Sequence, residues 1–473
     1  MLRNLAPVVF ASLVVAGQAT QPVEPVIAVS TNMAYDAAKP ILDVLRDNFP
    51  DALPDELRGK TPAELEHTWP AWVSRRDAEI RARLDRGDED SLLNFLLFGT
   101  TFTRLPRALN DSSKLGGPAR AAEIVRGRID DMAAGIVSPG QNERLRFARQ
   151  LAERSGIDPS APGGREQVRL YLHQVMTRGV GEIQQYAREV QSTRALADPI
   201  AEFVERSRLF RTRGLSSDTS ILPDFAIEEA LVSMKAGEML AANSVRRVAI
   251  VGPGLDFTDK AEGYDFYPQQ TMQPFALLDS LVRCGLASPE TLQVTVFDLS
   301  PRINRHVETA RQRAGAGRPY TLELVRDAGA GWLPRLGAYW QHFGDRIGDA
   351  TRGIPPPPDV GHLDVRAVSV RPAVVLSIVP QDLDIVLQRL DPLPAEQQYD
   401  LMVATNIFVY YGVFEQALGL VNAARMLRPG GFLLSNNALP ERLVASVKPA
   451  GSSRAIYTDR PEDRDQIVWY QRR

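Results

Sequence analysis

Tyr399-Asp400-Leu401-Met402-Val403-Ala404-Thr405-Asn406 is an apolar run that ends on polar groups. Sixteen residues after Gly412 comes Arg428-Pro429-Gly430-Gly431-Phe432-Leu433-Leu434, a tight turn that feeds a second apolar run. Short runs of this kind fit strands buried on both faces, and residues 412–427 between them fit one helix. The same alternation holds upstream. Residues 227–243 read as a helix, 247–251 as a β-branched strand ending in glycine, 274–284 as a helix with proline in its first turn, and 294–297 as another strand. Residues 454–457 and 466–470 flank a charged turn and read as a closing hairpin. Strands that alternate with helices predict an α/β fold built on a doubly wound, mostly parallel sheet.

Before this region the pattern is different. Residues 35–211 read as helices with little strand signal, among them 63–84, 117–134, 141–155 and 165–191. The polar stretch 212–223 carries glycine, serines and proline and marks a boundary. The expected organisation is an all-α N-terminal domain over 20–211, a linker over 212–223 and an α/β domain over 224–473. Residues 332–398 fit the alternation poorly, and the run of prolines at 355–358 reads as a stiff surface loop.

With 473 residues the chain has room for two or three domains. A hydrophobic content of 44% and a charged content of 24% exclude wholesale disorder and a polytopic membrane protein. The net charge of -3 argues against a dedicated nucleic-acid binder, which needs a basic surplus or a basic face. Cys284 is the sole cysteine and the five histidines are scattered, so neither an internal disulfide nor a metal site is expected. The first residues combine a basic start, an apolar run over 5–17 and Gly17-Gln18-Ala19. That is the form of a secretory signal cut after Ala19. The run falls short of the roughly 20 residues a stable membrane span requires. Export or a periplasmic location follows if the signal is used, and a cytoplasmic one if it is not.

Two strand ends carry candidate chemistry. In Val248-Ala249-Ile250-Val251-Gly252-Pro253-Gly254 a strand runs into glycines, which lets backbone approach a ligand at the carboxyl edge of the sheet. In Val294-Thr295-Val296-Phe297-Asp298 a strand ends on an acid, placed to accept both hydroxyls of a ribose or to cap the helix that starts at Ser300-Pro301. Ribose binding is the favoured reading, and the two can coexist. The distance from Gly252 to Asp298 far exceeds the roughly 20 residues of a dinucleotide fingerprint, which counts against a nicotinamide enzyme. The loop over 255–272 places aromatic and acidic residues beside the glycine turn, as a lid or as a loop tucked onto the surface.

Taken together, the glycine turn, the strand-end acid and the Leu-Arg-Pro-Gly-Gly turn make residues 227–473 resemble the class I S-adenosylmethionine-dependent methyltransferases. Within that superfamily Asn406-Ile407-Phe408-Val409-Tyr410-Tyr411, Gln273-Pro274-Phe275-Ala276-Leu277 and Gln381-Asp382-Leu383 are most similar to segments of the chemotaxis-receptor glutamate methyltransferases. Leu333-Pro334, Tyr339-Trp340 and Phe343-Gly344 look like parts of an insertion found in those enzymes. The resemblance implies a seven-stranded sheet and S-adenosylmethionine held by Gly252, Gly254, Asp298, Leu299, Asp382, Leu383 and Thr405. It implies that Asn406 and Tyr410 line the pocket for a methyl acceptor, either a small molecule or a protein side chain. Two departures stand out: Gln273 replaces a glutamate and Thr405 an arginine. They leave cofactor binding in place more readily than glutamate methylation, so no chemoreceptor substrate is expected. The competing reading is an exported, non-catalytic binding or structural protein on a degenerate version of the fold.

Overall fold

A computed structural model describes residues 28–108, 116–194, 210–211, 213–258, 264–358, 360, 362–436 and 438–473. The expected signal segment lies outside the described residues. The chain opens with a short strand, β1 (Val29–Asn32), and helix α1 (Tyr35–Asn48). Helix α2 (Pro62–Phe98) starts on a capping box, in which the Thr61 side chain accepts from the Glu64 amide and Glu64 answers the Thr61 amide, with proline at the first helical position. Helices α3 (Pro118–Val137), α4 (Glu143–Arg154) and α5 (Gly164–Arg194) follow.

The α/β region then runs α6 (Ile221–Ala236), β2 (Arg247–Val251), α7 (Gln273–Arg283), β3 (Gln293–Asp298) and α8 (Pro301–Gly315). Next come β4 (Tyr320–Asp327), α9 (Pro334–His342), β5 (Gly348–Thr351), β6 (Leu363–Val370) and α10 (Pro372–Leu376). The chain closes with β7 (Ile378–Asp382), β8 (Gln388–Asp391), β9 (Tyr399–Ala404), α11 (Val413–Met426), β10 (Leu427–Ser435), β11 (Val447–Ile456) and β12 (Arg464–Arg472).

Seven strands form one sheet in the order β11-β12-β10-β9-β2-β3-β7. Five of them are parallel, and β12 runs antiparallel to both neighbours, β10 and β11. Strand alternation sorts side chains to two faces. Val248, Ile250, Val294, Val296, Leu401 and Val403 join a core with α6, α7 and α9. Ala249, Val251, Phe297, Met402 and Ala404 join a second core with α1, the first half of α2, and α11. Asp400 clamps the centre, accepting the Arg246 and Arg247 amides at 2.7 and 2.9 Å and the Arg428 guanidinium of the next turn.

This packing corrects the expected domain division. The N-terminal region is not all-α, because β1 pairs with β8 along four residues. Nor do its first helices stand apart: Trp69 and Trp72 stack at 5.0 Å and pack against Phe414 of α11. The end of α2 and α3 to α5 gather around a further core, which also takes in Phe257 of the loop after β2. Residues 213–220 do not hang as a linker, since the Leu215 amide bonds the Arg83 carbonyl of α2 at 3.1 Å, and residues 221–223 already belong to α6. The irregular stretch after Trp332 supplies β5 and β6, which with β4 make a separate three-stranded antiparallel sheet.

Candidate functional site

All the parallel strands point their carboxyl ends toward one cleft. β2 ends in Gly252 and Gly254, both in the left-handed region with φ of 66° and 70°, and the Gly252 amide bonds the Phe297 carbonyl at 2.8 Å. Their lack of a Cβ is required by close neighbours. A Cβ on Gly252 would stand 2.3 Å from the Ile407 Cδ1, and one on Gly254 would stand 2.9 Å from the Thr219 Cβ. Two cavities flank this turn, one of about 80 Å³ beside Asp298 and one of about 310 Å³ beside Thr405. Ile407, Tyr410, Ser216 and Ser217 border both.

The smaller cavity is lined by carboxyl and apolar side chains. Asp298 and Leu299 line it from the end of β3, and Leu383 and Asp384 from beyond β7. Burial pushes the Asp298 carboxyl up to about 7, opposed by the Ser300 amide, which its Oδ1 accepts at 2.7 Å, and by the Arg302 guanidinium. Asp298 therefore makes the helix-start contact and still borders the cavity. Asp384 is also driven up to about 7 by burial. Its Oδ1 accepts the Val386 amide at 2.9 Å, and its Oδ2 is buried without a hydrogen-bond partner. An orphaned buried oxygen of this kind costs stability unless a ligand donor meets it.

Of the residues expected from sequence, Gly252, Gly254, Asp298, Leu299, Leu383, Thr405, Asn406 and Tyr410 all border one or both cavities. Asp382 does not. It lies on the outer surface in an ion pair with Arg81 of α2 at 2.8 Å, whereas Asp384 lines the smaller cavity. Thr405 accepts from the Gln273 Nε2 at 2.9 Å, so the two departures from the methyltransferase pattern touch one another. A neutral hydrogen bond stands where the resemblance has residues of opposite charge. Asn406 sits in the left-handed region at φ 57°, a conformation asparagine tolerates better than most residues. Its side chain is locked by Asn436, whose Nδ2 donates to the Asn406 Oδ1 at 2.6 Å. Tyr410 packs edge-on against Phe210 at 5.4 Å, and the Arg83 Nη1 donates to the Tyr410 carbonyl at 3.2 Å.

Sequence reasoning missed the wall that residues 215–220 and α2 place over the glycine turn. The Leu255 amide bonds the Ser217 carbonyl at 2.7 Å. Asp218 is held by Ser91 at 2.7 Å and Asn94 at 3.0 Å, both from α2. Arg302, on the helix that follows Asp298, donates to the Ser217 Oγ at 2.7 Å and lies 4.2 Å over the Phe147 ring. The paired serines, read as linker composition, gave no signal of this role. The described parts of the loop, residues 255–258 and 264–272, pack inward against the N-terminal helices. Phe257 is buried in the α3–α5 core, the Arg144 guanidinium bonds the Phe257 and Tyr267 carbonyls, and Asp265 accepts both amides of Thr100 and Thr101. Asp259 of that loop lies outside the described residues.

Among the described residues no helix is long and apolar enough to cross a membrane, and no group of His, Cys, Asp and Glu could hold a metal ion. No protein-family model and no curated protein matches the chain. Among solved structures, TrmN from Thermus thermophilus aligns at 14% identity and a TM-score of 0.25, over 53% of this chain and 52% of that one. The CcbJ methyltransferase from Streptomyces caelestis aligns at 13% and 0.26, over 53% and 96%. Magnesium protoporphyrin IX methyltransferase from Synechocystis, solved with bound SAM, aligns at 12% and 0.26, over 57% and 90%. The chain thus spans about half the length of TrmN, and alignments this weak carry no inference about what it binds.

Proposed function

We propose that the chain is an S-adenosylmethionine-dependent methyltransferase whose cofactor lies across the Gly252 to Gly254 turn. The observation that carries this reading is the convergence of a glycine turn and two desolvated carboxyls, Asp298 and Asp384, at the carboxyl edge of one doubly wound sheet. The residues fit the group. Asp298 has the geometry to accept ribose hydroxyls, the unpartnered Asp384 Oδ2 offers a further acceptor, and the glycines leave room for backbone to approach the ligand. Bound S-adenosylmethionine supplies a methyl group already activated by its sulfonium. The chain's own part is alignment, and proximity with orientation provides most of the acceleration such a transfer needs. Leu299 and Leu383 exclude water around the adenosine half. Asn406 and Tyr410 line the larger cavity and orient the acceptor, beside Thr405, which holds the cofactor, and no acid-base triad is required.

The test is calorimetric titration of S-adenosylmethionine and S-adenosylhomocysteine into the full chain. Micromolar binding is expected, weakened roughly tenfold or more in Asp298→Ala by loss of charged hydrogen bonds to ribose. Absence of binding to folded protein overturns the proposal and leaves the non-catalytic reading. Use of the leader is decided separately by fusing residues 1–30 to a reporter that is active only outside the cytoplasm.

A further inference from the structure

The larger cavity is backed by an acid that does not itself border it. Asp224 belongs to the first turn of α6, is 2% exposed, and follows Leu222 and Pro223, which do border the cavity. An acid in a first turn ordinarily meets a free amide or water. Here neither carboxyl oxygen has a well-formed hydrogen bond. Gln273 of α7 is the polar side chain that touches it, and the Tyr339 and Tyr457 phenols, both held neutral by burial, are the titratable groups that face it. No cation among the described residues offsets the acid, so burial drives its carboxyl well above the ordinary carboxylate range. An apolar side chain in this place would avoid that cost, which makes the acid itself the feature to explain.

Gln273 has the matching need. It is buried at the cavity wall, its Nε2 donates to the Thr405 Oγ1 at 2.9 Å, and its Oε1 is buried with no hydrogen-bond partner. A neutral carboxylic acid carries one O–H donor. Given to the Gln273 Oε1, that proton satisfies two neighbouring groups that are each short of a partner. It also fixes the amide with its oxygen toward Asp224 and its nitrogen toward Thr405. Thr405 is buried directly after β9 and borders the cavity. With one lone pair engaged by Nε2, its own hydroxyl proton is left for a ligand. Asp298 and Asp384 border the smaller cavity, so the part of the cofactor that reaches Thr405 is the amino-acid end, whose carboxylate accepts hydrogen bonds.

We propose that Asp224 is a positioning residue of the cofactor site: its carboxyl proton is donated to the Gln273 Oε1, and the amide so oriented holds the Thr405 hydroxyl with its proton aimed at the amino-acid end of the cofactor. The role of Thr405 rests on the cofactor reading above, whereas the bond from Asp224 to Gln273 does not. The full chain and its variants are titrated with S-adenosylhomocysteine and with 5′-methylthioadenosine, which keeps the adenosine and sulfur but has no amino-acid end. Asp224→Val is expected to weaken S-adenosylhomocysteine about fivefold or more, the worth of one hydrogen bond, and to leave 5′-methylthioadenosine within about twofold. Asp224→Asn, which keeps a neutral donor, restores the wild-type value, and adding Asp224→Val to Thr405→Val costs nothing further. Equal losses for the two ligands, or no loss, overturn the proposal. Circular dichroism identifies a variant that fails to fold, and Gln273→Leu, with the same expected pattern as Asp224→Val, then carries the titration. Infrared difference spectra of wild type against Asp224→Asn are taken at pH 8.5, where Asp298 and Asp384 are ionised. They are expected to show the carbonyl stretch of a protonated carboxylic acid, at a frequency that moves in the Gln273→Leu background. A flat difference spectrum, or a band indifferent to Gln273, overturns the proposal. If the wild type binds neither ligand the cofactor reading falls, and this band alone decides whether Asp224 donates to Gln273.

Discussion

At the scale of single residues, Asp298 and Asp384 couple the site to pH. Burial holds both near 7, above the ordinary carboxylate value near 4, so between these limits the folded chain binds more protons than the unfolded one. Stability of the ligand-free protein is therefore expected to fall as pH rises from about 4 through 7. Affinity for S-adenosylhomocysteine should move the opposite way, rising through the same window as the carboxyls ionise and become full acceptors for ribose hydroxyls. Calorimetry at pH 5.5, 6.5 and 7.5 with parallel thermal unfolding checks both signs, and flat profiles would remove these two groups from the site. The place of Asp298 at a strand end was legible in the sequence because an apolar run ended on it. Asp384 was not: Gln381-Asp382-Leu383 offered an acid two residues earlier, and only the outward contact with Arg81 shows which of the two carboxyls borders the cavity.

At the scale of elements, the cleft depends on how closely α2 crosses residues 213–220. Gly87 and Gly214 face each other there. A Cβ on Gly87 would stand 1.8 Å from the Leu215 carbonyl oxygen, and one on Gly214 would stand 2.3 Å from the Gly87 nitrogen. Both clashes are with backbone, so no rotamer change relieves them. Gly87→Ala must push the segment off the helix, at a cost of about 1–3 kcal/mol typical of overpacking. It should also weaken S-adenosylhomocysteine binding, since Ser216 and Ser217 on that segment border both cavities. Denaturant unfolding and titration of the variant check this, and unchanged values for both would mean the segment is not held by the crossing. The parallel strands and their helices were readable because buried runs and 3.6-residue spacing are local signals. The crossing was not, because a glycine inside a polar helix and a serine-rich stretch carry no pattern until tertiary contact joins them. The strands β4 to β6 escaped notice for a related reason: a half-buried antiparallel sheet interrupted by prolines lacks the continuous apolar signature of the central strands.

At the scale of the whole molecule, the composition shift near residue 212 suggests two independent units, whereas the packing makes them one. The second core of the sheet is closed by Trp69, Trp72, Leu42 and Leu45 from the N-terminal region, all buried against α11 and the strand residues that face it. The Trp69 indole bonds the Met33 carbonyl at 2.8 Å, and β1 lies along β8, so the covering layer is tied in by backbone as well as side chains. Cutting the chain at residue 224 would expose this face of the sheet, and each large apolar side chain uncovered forfeits about 1.5–3 kcal/mol. A few such losses are comparable with the 5–15 kcal/mol that holds a typical protein folded. Residues 224–473 expressed alone are therefore expected to aggregate or to form a dye-binding state without a cooperative transition, even though they contain every strand of the seven-stranded sheet. Residues 28–473 should unfold with the α/β region and its covering helices in one step. Hydrogen exchange provides the check: amides of α2 near Trp72 and of β9 near Met402 should open with the same free energy. A well-folded fragment with native-like protection in β9 would show that the covering helices are an accessory and return the boundary to residue 212.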